Sequence, residues 1–350
     1  MAHLNPADIK KVLDESDRTY NQGDWRKAAD VLGPILMLDT DDLASLRVVA
    51  RALILRGLCF IEMNESAKAE EDFERALGLA RQGRDQLLEG EALIRLAHRL
   101  ETSGDYKKAL EQIEMAEVIA QATKDIRLEG LVHSLKGAVF TMSHRLDVAE
   151  REFREGVLAL EKAGDMRELS KAYNNFGNNF VFKGEHRTAA EIFDKCRRAA
   201  ERAKYGPLMI LSRMNMGQSL AEIGKFKEAL AAMEGILQMV QRAKDDKGIM
   251  DAYEAYGIIY AKMGEWQKAE DHFFVARTLA QKRKVPYEEG RVLYHIGRMH
   301  KWKGDATKAL RFLRDAKAVA ARSGITQGVA LIEKEIKDVE GFSVDPAKKH

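Results

Sequence analysis

The residue types that carry chemistry are present in this chain, but their spacing withholds most reactions. Nine histidines are scattered along it. His295 and His300 lie five residues apart, not the four that stack two imidazoles on one helix face to hold a metal. The two cysteines, Cys59 and Cys196, make no paired-ligand spacing and are too few for a disulfide framework, so a reducing compartment is expected. No phosphate-cradling glycine loop, nucleophile elbow or zinc motif occurs. The residues therefore predict no catalytic site, no metal and no cofactor.

Two other groups offer recognition chemistry. The run Tyr173–Phe180 places Asn174, Asn175, Asn178 and Asn179 within six residues. Asparagine is a poor helix former, so such a cluster costs helix stability unless its amides make contacts. An amide both donates and accepts, which suits it to the backbone of an extended peptide. Part of the run is assigned to binding; the competing reading is that Asn175 and Asn179 bond to neighbouring loops or face water. The second group is Arg291, Tyr294, Arg298, Lys301 and Trp302. Arg291 and Arg298 are two helical turns apart with Tyr294 between them, and Lys301 and Trp302 extend that face. Like charges on one face repel and do not stabilise a helix; an acidic segment bound there would offset them. Packing alone is the competing explanation for Trp302.

The elements that position these residues follow from an internal period. Gly-Asp-Tyr-Lys-Lys-Ala at 104–109 recurs as Gly-Asp-Trp-Arg-Lys-Ala at 23–28 and Gly-Glu-Trp-Gln-Lys-Ala at 264–269, with weaker copies from Asn64, His144, Gly184, Gly224 and Gly304. The spacings are 41 and then 40. Alanine stands five residues after every start, from Ala28 to Ala309, and a small residue stands seven before: Ser16, Gly57, Ala97, Gly137, Gly177, Gly217, Gly257 and Gly297. Glycine inside a helix costs up to ~1 kcal/mol against alanine, so its recurrence implies close helix approach. Leu93, Leu96, Ala97 and Leu100 share one helical face, and Ala109, Ile113 and Ala116 share that of the following helix. Each repeat therefore reads as a helical hairpin. Pro207 and Pro286 fall at helix starts, where a missing N–H is harmless; Pro34 lies inside the second helix of repeat one and should kink or shorten it.

These residues resemble the tetratricopeptide repeat family, over roughly residues 6–322. The 40-residue period is similar to the variant in kinesin light chains and spindle-orientation adaptors. The resemblance implies an all-α, alpha-alpha superhelix of eight hairpins with first helices lining a concave groove. It implies a single solenoid over 1–340, closed by a capping helix at about 327–339 whose polar side faces solvent, and a loose tail at 341–350.

The resemblance also marks which first-helix positions face the groove. They are Leu131, Ser134, Ala138, Thr141 and Met142 in repeat four; Lys171, Asn174, Asn178, Val181 and Phe182 in repeat five; and Met214 and Gln218, with Asn215 beside them, in repeat six. Asp251 and Glu254 follow in repeat seven, then the Arg291–Trp302 group in repeat eight. The groove is thus expected to run from neutral-polar through acidic to basic-aromatic. Some family members clamp a C-terminal carboxylate with basic residues and two asparagines. Asn178 and Asn215 match the asparagines, but Asn174, Asp251 and Ala255 fill the basic slots, so no such clamp is implied.

Charge bounds the partner. With 57 basic and 55 acidic residues the net charge is +2, which gives no general drive toward nucleic acid or anionic membrane. No apolar run is long enough to cross a bilayer and no leader-like stretch opens the chain, so a cytoplasmic protein is expected. The leading reading is a non-enzymatic adaptor that binds a peptide segment or helix of another protein. The alternative is a structural scaffold that self-associates into a homo-oligomer through an array end or groove, with nucleic-acid binding or signalling regulation as a minor third.

Overall fold

The computed structural model describes residues 4–40, 42–322 and 326–344, and among these all regular structure is helical. The helices are α1 (Pro6–Gln22), α2 (Trp25–Val31), α3 (Gly33–Leu36), α4 (Leu43–Glu62), α5 (Ser66–Gln82), α6 (Gln86–Thr102), α7 (Tyr106–Thr123), α8 (Ile126–Met142), α9 (Leu146–Ala163), α10 (Met166–Lys183) and α11 (His186–Arg202). They continue as α12 (Gly206–Glu222), α13 (Phe226–Met233), α14 (Ile236–Arg242), α15 (Asp246–Lys262), α16 (Trp266–Arg283), α17 (Pro286–Lys303), α18 (Ala306–Arg322) and α19 (Thr326–Val344). First and second helices pair as hairpins, such as α8 with α9 and α17 with α18. The fold is all-α, as the period requires. Two compact units, Met1–Ser212 and Arg213–His350, divide the chain within α12.

The sequence period is written into the backbone. The residue opening each repeated fragment adopts the left-handed conformation, with φ from +74° to +86° at Gly23, Gly104, Gly184, Gly224, Gly264 and Gly304. Asn64 and His144 hold the same slot at φ 61° and 58°. That conformation ends the first helix of each hairpin. Aspartates start several of the first helices: Asp85, Asp125 and Asp165, forty apart, and Asp245, eighty further on, each accept a backbone N–H three residues on. Repeat one follows the expectation for Pro34, since α2 stops at Val31 and Pro34 lies in the separate short helix α3. A second break, at Gly235 with φ 76° between α13 and α14, has no counterpart among the sequence expectations.

Unit one closes back on its own first hairpin. The Tyr20 and Tyr205 rings stack with centroids 5.8 Å apart, and both hydroxyls donate to Glu62 Oε1, at 2.9 and 3.2 Å. Arg167 reaches Asp17 at 3.0 Å, and Asn21 Nδ2 donates to the Ala203 carbonyl at 3.4 Å. The end of α1 therefore meets the start of α10 and the loop after α11.

In unit two, α19 packs on α17 and α18. Ile332 and Val339 are buried with Leu293, Leu313 and Val319. The helix runs five residues beyond the expected end at Val339, and residues 345–350 of the expected tail lie outside the described residues. Its acidic side is turned onto α17, where the sequence predicts that it faces solvent.

Candidate protein-binding faces

In unit one the first helices α6, α8 and α10 are cross-tied by ion pairs. Arg95 of α6 reaches Glu91 at 3.0 Å and Glu168 of α10 at 3.1 Å. Arg127 of α8 reaches Glu91 at 3.0 Å and Asp165 at 2.8 Å. Burial alone would raise the Glu91 carboxyl, but Arg127 and Arg95 outweigh it and bring it down to about 2. The same balance, led by Arg95, holds Glu168 well below its usual range. Lys171, assigned to the groove from sequence, sits 3.5 Å from Glu168 and over the Tyr20 and Tyr205 rings, where burial lowers its pKa. Its ammonium thus takes part in the closure of unit one.

The amide run of α10 divides by helical face. Asn179 is fully buried; its Oδ1 accepts from the Thr141 hydroxyl at 3.0 Å and its Nδ2 donates to the Leu146 carbonyl at 3.2 Å. It ties α10 to α8 and to the first residue of α9, a contact to neighbouring structure of the kind the competing reading of the run allowed. Asn174 and Asn178 are half-buried, Asn174 lying 3.5 Å from the Asn175 side chain. The final turn leaves Val181 39% and Phe182 52% exposed, with His144 edge-on to Phe182 at 6.2 Å. Apolar groups this open beside half-buried amides offer both contact area and hydrogen bonds to another chain.

In unit two, Met214 is buried, and Asn215 and Gln218 are half-buried on α12. Asp251 and Glu254 of α15 both engage Arg291 of α17, Glu254 at 2.7 Å. The acidic and basic stretches therefore neutralise one another in part. Burial raises Glu254, and its neighbour Asp251 adds to this; the shared Arg291 offsets only part of the rise, so the carboxyl reaches about 7. His295, 3.6 Å from Glu254, is driven down to about 3 by burial and by Arg298 and Arg291.

The basic-aromatic group lies together on α17. The Arg298 guanidinium is 5.6 Å from the Tyr294 ring centroid and 4.8 Å from that of Trp302, and Lys262 of α15 lies 4.0 Å from the Trp302 ring. These are cation–π distances. Arg298 also meets Glu335 of α19 at 3.4 Å, and Lys301 meets Glu335 at 2.5 Å and Asp338 at 3.3 Å. An acidic segment does sit on this face, and it is the chain's own. Sequence reasoning had both halves in hand, the cations of α17 and the acids of the last helix, but assigned the latter to solvent.

Cys196 fills a small-residue slot as expected, fully buried with its thiol 3.1 Å from the Ser170 carbonyl, and Cys59 is buried too. Burial pushes both thiols up to about 12. Among the described residues, no helix is long and apolar enough to cross a membrane.

Comparison with known proteins agrees with this architecture. Models of the tetratricopeptide repeat match residues 50–82 and 208–282. Tetratricopeptide repeat protein 29 of Trypanosoma brucei brucei is 25% identical over 253 residues, which cover 65% of this chain; the match spans about half (50%) of that relative's length. Among solved structures, a Rap protein complexed with competence and sporulation factor is similar at TM-score 0.61 and 13% identity, covering 97% of this chain and 88% of the other. Aspartyl phosphate phosphatase F from Bacillus subtilis is similar at TM-score 0.53 and 14% identity, covering 97% and 96%. At such identities the likeness is one of fold. The tetratricopeptide repeat is matched over residues 50–82 and 208–282, and the hairpin phase and left-handed turn slot carry the same helical-hairpin pattern along the rest of the described chain.

Proposed function

We propose that the chain is a non-enzymatic cytoplasmic adaptor that captures a segment of a partner protein on the first-helix face of α8 and α10. The observation that carries this reading is the last turn of α10, where Val181 and Phe182 stand open to solvent next to the half-buried Asn178 amide. Arg95, Arg127, Glu91 and Glu168 of the same first helices are already committed to one another. A partner main chain would bond the amide while an apolar side chain covers Phe182. Affinity capture from native cytoplasm, comparing wild type with the Asn178→Ala, Phe182→Ala double variant, tests it. A partner retained by the wild type and lost from the variant, with the helical signal unchanged, supports the reading; identical capture overturns it. Sedimentation across concentrations distinguishes a self-associating scaffold, which would retain a second copy of this chain on the same face.

A further inference from the structure

The contact between α19 and the helices beneath it has a pattern that packing alone does not require. Glu333 and Glu340 meet Lys317 and Arg314 of α18 at 2.7 and 2.9 Å. Glu335 and Asp338 meet Arg298 and Lys301 of α17. Each of these four acids is placed on a cation, while Lys334 and Lys337 of the same helix are exposed. Between the acids, Ile332, Ile336 and Val339 turn inward at helical spacing.

The hold is nonetheless light. Among the described side chains of α19, Ile332 and Val339 are the fully buried apolar ones, and Leu331 is 52% exposed. The Lys317–Glu333 and Arg314–Glu340 pairs stand largely in water, where ion pairs contribute little and weaken with salt. A helix with the same arrangement of acids and a larger apolar face would compete for the site. We propose that the α17–α18 face under α19 is a docking site for an acidic amphipathic helix of a partner protein, and that α19 is its resident occupant. The aromatic cluster of Tyr294 and Trp302 around Arg298 extends this site. The proposal does not depend on the α8–α10 face.

The test uses the full-length protein and a labelled synthetic peptide of residues 326–344 as probe. Glu335→Lys with Asp338→Lys removes both contacts to α17 and should free the face. The variant is expected to bind the peptide at least tenfold more tightly than wild type does. That binding should weaken as ionic strength rises from about 0.05 to about 0.5 M, and should be lost when Arg298→Glu is added. Equal binding to variant and wild type, or equal binding of a peptide whose acids are changed to glutamine, overturns the proposal. A salt-stable dimer formed by exchange of α19 between copies also overturns it, since the occupant is then a second copy. Should the variant fail to fold, amide hydrogen exchange on wild type decides: α19 amides are expected to exchange much faster than those of α17, and equal protection overturns the proposal.

Discussion

Gly257 lies so close to the Phe273 ring that a Cβ on it would sit 2.8 Å from two ring carbons. Gly57 with Phe73, Gly137 with Phe153 and Gly177 with Phe193 repeat the relationship sixteen residues apart. In the third repeat the same pair is Ala97 with Ile113, both fully buried, so there the smaller partner leaves room for a methyl. Gly257→Leu is expected to cost about 1–3 kcal/mol by overpacking. In a double-mutant cycle measured by urea unfolding, Gly257→Ala and Phe273→Ile should show favourable coupling of roughly 0.5–3 kcal/mol. A cycle that closes at zero would mean that the ring moves aside freely.

Adjacent asparagines on α10 should behave oppositely. Asn179→Ala removes the buried bonds to the Leu146 carbonyl and the Thr141 hydroxyl and should cost about 1–3 kcal/mol of stability. Asn178→Ala should change stability by less than about 0.5 kcal/mol, as surface changes do, and weaken partner binding instead. Thermal unfolding of both variants, beside binding assays with a captured partner, checks the assignment; equal effects on stability would return Asn178 to a structural role.

Glu254 makes stability fall on the alkaline side. Its folded-state carboxyl, at about 7, lies above the unfolded value of 4.5. The folded state therefore holds the proton more tightly, and this contribution is complete below 4.5 and lost as pH rises through about 7. The loss between pH 5 and 8 is on the order of 2 kcal/mol. His295 works on the acid side: held neutral down to about 3, it loses stability as pH falls below 6.5. Arg291, Asp251, Lys247 and Glu288 are the charged groups around Glu254. Glu254→Gln should flatten the pH 5–8 limb of the unfolding free energy; an unchanged slope would assign that limb to another group.

Both thiols should be silent in the native protein. With Cys59 and Cys196 raised to about 12 and buried, an aromatic disulfide reagent at pH 8 should react with them at least on the order of a thousandfold more slowly than with free cysteine. Rapid labelling of either under native conditions would show that its surroundings open without global unfolding.

How much was legible in sequence depended on whether a signal repeats. The turn residue, the alanine after it and the small residue before it recur every 40 or 41 residues, so hairpins and their boundaries could be read directly, and Pro34 marked a break by its own chemistry. The Arg298–Trp302 group could be placed on one helix face for the same reason. The Tyr20–Tyr205 stack, the Arg95–Glu168 pair and the Lys301–Glu335 pair each join residues from elements distant in sequence. Periodicity gives the orientation of a side chain on its own helix, but not which distant helix arrives opposite it. The break at Gly235 escaped because glycine there falls outside the repeated positions, and one glycine inside a helical pattern is usually tolerated.

The closure of unit one changes how its first hairpin lives and dies. In a linear array a terminal repeat has one neighbour and frays first. Here the α1 hairpin has a second, tied through Glu62, Tyr205 and the Asn21–Ala203 bond across 182 residues. Melting should therefore not begin at that end. These contacts cannot form on the ribosome until residues 203 and 205 have emerged, so the α1 hairpin waits, unlatched, for most of the unit's synthesis. Because the entropy of closing a loop grows only slowly with its length, that long wait is a matter of time and adds little to the free energy of the finished ring.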